Sequence, residues 1–193
     1  MRNTLRALAP IIAVMIFWCV WPNAWLAILS YHVQIVLWNW SGLRKMSLPL
    51  GVKWVLLALP MVLAGPLLYV MLPLITRIDL SVWLNTYHLS GLSLVLMIPY
   101  FGLVHPVLEQ IHWHPLRETS TWFHFVFAGY HMIVLASLLS LPWLILCFCV
   151  LTGASFAWKW MHDKSHSLLI PTASHILADL GVVVAAWART FFS

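Results

Sequence analysis

Acidic side chains are almost absent from this 193-residue chain, which has five Asp and Glu in all, and charged residues of both signs make up only 8%. That scarcity excludes a water-soluble globule, because 63% hydrophobic residues and a mean hydropathy of +0.93 leave too little polar surface to cover one. Cysteine is scarce too. Cys19, Cys147 and Cys149 all lie in apolar runs, and the last two point to different sides of a helix, so neither a disulfide framework nor a zinc knuckle is implied. Long basic runs are also missing. The ten Lys and Arg residues stand singly or in pairs, so the net charge of +5 reads as membrane topology rather than as nucleic-acid binding.

What is present is a series of apolar runs, each long enough to cross a bilayer at about 20 residues per span. The sequence therefore predicts an all-α fold, a polytopic helical membrane bundle of six to seven transmembrane helices, forming one integral membrane domain over residues 1–193. Arg2 and Arg6 precede an apolar stretch that breaks at Trp21-Pro22-Asn23 and resumes to Trp40, which reads as an uncleaved anchor or a helical hairpin. Further spans are expected near residues 54–75, 84–107, 122–139, 141–158 and 168–187, with polar connectors at 112–121 and 159–167. Pro60 and Gly65-Pro66 should kink the first of these. With residues 7–40 as a hairpin, Arg2, Arg6, Arg44, Lys45, Lys53, Arg117, Lys159 and Lys164 fall on one side, and Arg77 and Arg189 on the other. The positive-inside rule puts the richer side in the cytoplasm. The 13 Trp residues cluster near span ends as interfacial belts.

Two of the five acids, Glu109 and Asp179, fall inside or at the edge of apolar runs. A carboxylate at bilayer depth costs roughly 2.5–3.5 kcal/mol on insertion scales, so a partner or a function is expected around each. Glu109 lies towards the cytoplasmic end of its span, and His131 is about 15 Å into the next. His175 and Asp179 share one helix face at i,i+4. Four polar groups from three helices, Glu109, His131, His175 and Asp179, are thus candidates for one cytoplasm-facing site. Plainer readings exist: Glu109 as an interfacial carboxylate, His131 as a buried histidine bonded to a backbone carbonyl. His162 and His166 have metal-capable spacing, but with Asp163 and Lys164 beside them and no third ligand in reach of the spacing they read as a solvated loop.

The segments Glu109-Gln110-Ile111-His112-Trp113-His114, Phe127-Ala128-Gly129-Tyr130-His131 and His175-Ile176-Leu177-Ala178-Asp179 resemble, in this order, the motifs of the CPBP family of CAAX-prenyl and bacteriocin-processing intramembrane peptidases. Those motifs are a Glu-Glu pair followed by Arg, Phe-x-x-x-His, and His-x-x-x-Asn or Asp. A second Phe-x-x-x-His, Phe101 with His105, is read as coincidence. The resemblance covers residues 105–187 as a catalytic core, with residues 5–104 as N-terminal spans. It implies a membrane-anchored or prenylated protein or peptide substrate within the lipid bilayer. Glu109 and His131 would activate a water, and His175 and Asp179 would steady the oxyanion or the water. The same four residues, Glu109, His131, His175 and Asp179, would be the ligands if the enzyme used zinc, and glutamate-type chemistry without metal fits equally. The chain departs from the family at Gln110, where the second Glu stands, and at His114, where the Arg stands. Arg117 replaces that Arg if the helix runs through Pro115.

Two other classes remain open from the residues alone. One is a membrane scaffold or bacteriocin-immunity factor of the same fold that binds without cutting, which Gln110 and His114 favour. The other is a b-type haem protein using His124, His131 or His175 as axial ligands.

Overall fold

The computed structural model describes residues 1–40 and 56–192, and within these the chain is all-helical. The expected start of the third span at residue 54 and the basic residues Arg44, Lys45 and Lys53 lie outside the described residues.

The first helix, α1, runs over Arg2–Val20 and ends in a π turn at Ile16–Val20. The chain then reverses at Trp21-Pro22-Asn23. Asn23 caps α2 (Ala24–Asn39) by accepting from the Leu26 amide at 3.0 Å, a side-chain acceptor for one of the orphan donors of a helix start. The two helices pack as the expected hairpin.

Helix α3 (Leu56–Ile75) contains a 3-10 turn at Leu59–Leu63, around Pro60. Its Gly65 meets Gly181 of α8 (Leu169–Phe192) so closely that a Cβ on Gly65 would stand 2.8 Å from the Gly181 Cα. Small residues let the two backbones touch, the usual device for helix packing in lipid. A short helix, α4 (Leu80–Thr86), follows, capped by Asp79. His88 and Gly91, with φ of 58° and 51°, turn the chain into α5.

Helix α5 differs most from expectation. It spans Leu92–Thr119, 28 residues, instead of a span over 84–107 and a polar connector over 112–121. A π turn at Tyr100–Val104 leads into Pro106, which occupies the first turn of the following segment, where a proline costs no hydrogen bond. The helix also passes through Pro115, because His112, Trp113, Leu116 and Arg117 around it are buried against neighbouring helices. At 1.5 Å per residue it is about 42 Å long, more than the ~30 Å hydrocarbon layer.

Three helices complete the bundle: α6 (Trp122–Leu135), α7 (Leu141–Ser165) and α8. Helix α7 runs seven residues past the expected end at 158, because Lys159 and Asp163 pair at i,i+4 (2.7 Å) and the helix stops only where His166 turns left-handed, φ 52°. Among the described residues, five helices, α1, α3, α5, α7 and α8, are long and apolar enough to cross a membrane. The other two long helices, α2 and α6, have 16 and 14 residues.

The hydrogen bonds sort the two ends of the bundle. Asn3 donates to Thr119 at 3.4 Å and Lys159 pairs with Glu118 at 2.9 Å, so the start of α1 and the ends of α5 and α7 share one end. At the other end Arg77 donates to the carbonyls of Ala136 and Ser137, and Arg189 to that of Tyr69.

Candidate active site

Helix α5 supplies most of the polar groups. His105 and Glu109 are one turn apart, Gln110 follows, and Arg117 lies two turns beyond Gln110 on the same face. Helix α2 brings Tyr31 and His32 to them, α6 brings Tyr130, and α8 brings His175 and Asp179.

Glu109 is 1% exposed, and its two oxygens differ. Oε1 accepts hydrogen bonds from the hydroxyls of both Tyr31 and Tyr130, and Trp113 Nε1 in turn donates to Tyr31 Oη at 2.9 Å. Oε2 is buried and has no hydrogen bond. It faces His105 Nε2 at 3.5 Å and His175 Nε2 at 3.7 Å. Beyond His175, Asp179 Oδ2 stands 3.4 Å from the same Nε2, and it too is buried without a hydrogen bond. Two buried carboxylate oxygens without a hydrogen bond are costly, and His175 Nε2, which stands between them, is the nitrogen they share.

The imidazole of His175 is fixed on every side. Gln110 Nε2 donates to its Nδ1 at 3.3 Å, and Arg117 Nη1 donates to Gln110 Oε1 at 3.3 Å. With Nδ1 an acceptor, the ring proton sits on Nε2, between Glu109 and Asp179. Trp158 stacks on the ring with centroids 4.1 Å apart, and the Arg117 guanidinium lies 4.7 Å over Phe127. Gln110 is therefore a bridge between a buried cation and the histidine. Arg117 reaches the site because the helix continues through Pro115.

Of the four residues singled out in the sequence, the structure brings Glu109, His175 and Asp179 together. His131 stands beside them through Tyr130, whose ring lies 4.0 Å from its own. Its Nδ1 donates to the Phe127 carbonyl at 2.8 Å, and among the described residues it makes no ion pair with Glu109 or Asp179. His105, of the second Phe-x-x-x-His, is the imidazole next to Glu109 on its own helix. Its Nδ1 is bonded to His32 Nε2 at 2.9 Å, and His32 Nδ1 to Tyr100 Oη at 2.8 Å. The signal for His105 was its i,i+4 spacing to Glu109, the same spacing that drew attention to His175 and Asp179. Tyr31, His32 and Tyr130 carried no motif.

The order of contacts, His105, Glu109, His175, Asp179, is a chain and not a cage. Among the described residues, three metal-ligand atoms come within 4.8 Å of one another only at His114, Glu118 and His162, away from Glu109. Glu109, His131, His175 and Asp179 as they stand do not fit a zinc ion, whose tetrahedral ligands lie about 3.4 Å apart. His124 donates to or accepts from Ser155 at 2.8 Å and is stacked on Phe156, so it too is engaged. No family model, no curated protein and no solved structure matches this chain.

Proposed function

We propose that the chain is a CPBP-type intramembrane endopeptidase that hydrolyses a peptide bond in a membrane-anchored or prenylated protein or peptide. The supporting observation is the divided carboxylate of Glu109, with one oxygen held by two tyrosines and the other open towards two imidazoles. In this reading Oε2 takes a proton from a water lodged between it, His105 and His175. The oxygen of that water adds to the scissile carbonyl. His175 Nε2–H, with Asp179 behind it, donates to the developing oxyanion, and the proton on Glu109 passes to the leaving amine. His131, its Nδ1 proton committed to Phe127, offers Nε2 as an acceptor for a second hydrogen of the water or for the substrate amide. No metal takes part in this scheme, since the contacts of His105, Glu109, His175 and Asp179 run in an open chain.

We extend the proposal to topology. Helices α2 and α6 also cross, which with the five longer helices makes seven crossings. The end carrying Arg2, Arg6, Lys159 and Lys164 faces the cytoplasm.

A second reading has one observation in its favour. Gln110 is tied between Arg117 and His175 and cannot carry a proton as a second carboxylate would. A scaffold that binds peptide at the same site without cutting would show this feature. The two readings part on Glu109. Membrane-protein N-termini are compared by mass spectrometry in cells expressing the unmodified chain, Glu109→Ala or His131→Ala at matched levels. A peptidase yields new termini that vanish in Glu109→Ala. Identical termini in all three samples, with folded and abundant protein, favour the scaffold.

A further inference from the structure

His162 has a metal-capable spacing to His166 but no further ligands near it in sequence, and the structure brings two candidates to it from another helix. The last turns of α5 and α7 meet at one end of the bundle, where His114 and Glu118 of α5 face His162 of α7. One ligand atom from each of the three lies within 4.8 Å of the other two. The two imidazoles are in contact, with ring centroids 3.7 Å apart. His162 Nδ1 is shielded from water and makes no hydrogen bond, although Asp163 Oδ1 is 3.7 Å away. His114 Nδ1 stands 4.0 Å from Glu118 Oε1. Two imidazoles in contact beside a carboxylate gather three potential ligand atoms in one place, and His162 Nδ1 among them lacks a partner.

We propose that His114, Glu118 and His162 form a binding site for a zinc-class divalent cation that pins the end of α5 to the end of α7. Two imidazole nitrogens and one carboxylate oxygen suit the borderline character of zinc, with water in the fourth position. Closing from 4.8 Å to the ~3.4 Å spacing of a tetrahedral site needs side-chain movements of about 1 Å. Lys159 is the built-in competitor. Its Nζ binds Glu118 Oε1 at 2.9 Å and Asp163 Oδ2 at 2.7 Å, so without metal it neutralises the carboxylates. The ion takes Glu118 from the lysine, which stays paired with Asp163. His162 is one turn from Trp158, whose indole stacks on His175, and His114 is little more than one turn from Glu109. A bound ion therefore fixes the register of the two helices that carry the walls of the candidate active site.

The test is zinc binding by isothermal titration calorimetry on the purified, tag-free chain in detergent micelles. One saturable site is expected. His114→Ala and His162→Ala each weaken it at least about 100-fold, more than loss of a supporting contact costs. Lys159→Met tightens it about two- to fivefold, the worth of an exposed ion pair. His166→Ala, outside the cluster, leaves it unchanged. Glu118→Gln, at an exposed position, is the variant of choice should a histidine variant fail to fold, and it too weakens binding. No saturable binding, or binding that survives in the His114→Ala/His162→Ala double variant, overturns the proposal. The readout is independent of proteolysis, so it stands or falls apart from the peptidase reading.

Discussion

Helix α5 carries two carboxylates nine residues apart, and the protein treats them in opposite ways. Glu109, deep in the bundle, is held by the neutral hydroxyls of Tyr31 and Tyr130, and among the described residues no lysine or arginine forms an ion pair with it. Glu118, at the helix end and 44% exposed, is paired with Lys159. Water explains the difference. At the surface a mobile ammonium and solvent share a carboxylate at little cost, whereas in the interior a second full charge would bring its own desolvation penalty. Neutral donors satisfy one oxygen of the buried carboxylate and leave the other without a hydrogen bond.

That contrast predicts a hierarchy of effects. The double variant Tyr31→Phe/Tyr130→Phe removes both donors from a buried charge, and at about 1.5–3 kcal/mol per charge-assisted bond it should cost roughly 3–6 kcal/mol. Thermal unfolding in detergent reads this directly, and a loss below about 1 kcal/mol would break the comparison. Arg117→Ala should come next, at about 2–4 kcal/mol, because the guanidinium is buried, donates to Gln110 and lies over Phe127. Substitution by Lys should recover only part of the loss, since an ammonium cannot both reach Gln110 and lie flat on the ring. Glu118→Gln and Lys159→Met in metal-free protein should each change stability by less than about 1 kcal/mol, a difference that shrinks further as salt is raised.

A separate break tests the packing that holds Asp179 and His175 in place. Gly181→Leu puts a side chain where a Cβ would already be 2.7 Å from the Gly65 amide nitrogen. It should separate α3 from α8 and lower the yield of folded protein by more than any of the charge substitutions at the exposed end.

The sequence announced the helical class, the reversal at Trp21-Pro22-Asn23 and the shared face of His175 and Asp179, because each depends on local pattern alone. It misplaced the ends of α5 and α7 for one physical reason. Polar residues were read as span ends, but helices end at caps, and α7 continues through Lys159 and Asp163 to the left-handed His166. Pro115, on which the reach of Arg117 depends, is absorbed by the burial around it, and Pro106 follows a π turn at the start of the next helical segment. His105 carries a local signal in its i,i+4 spacing to Glu109, whereas Tyr31 and Tyr130 are not legible as site residues, since what makes them so is the meeting of α2, α5 and α6, a long-range fact. The His114, Glu118 and His162 cluster escaped for the same reason: its ligands are 44 residues or more apart along the chain except for one i,i+4 pair.

The comparison of the two glutamates also gives the most direct test of the peptidase account. Membrane-protein N-termini are compared in cells expressing the unmodified chain, Glu109→Gln and Glu118→Gln, each at matched abundance. The account predicts new termini with the unmodified chain and with Glu118→Gln, and none with Glu109→Gln. Cleavage that persists in Glu109→Gln would contradict it.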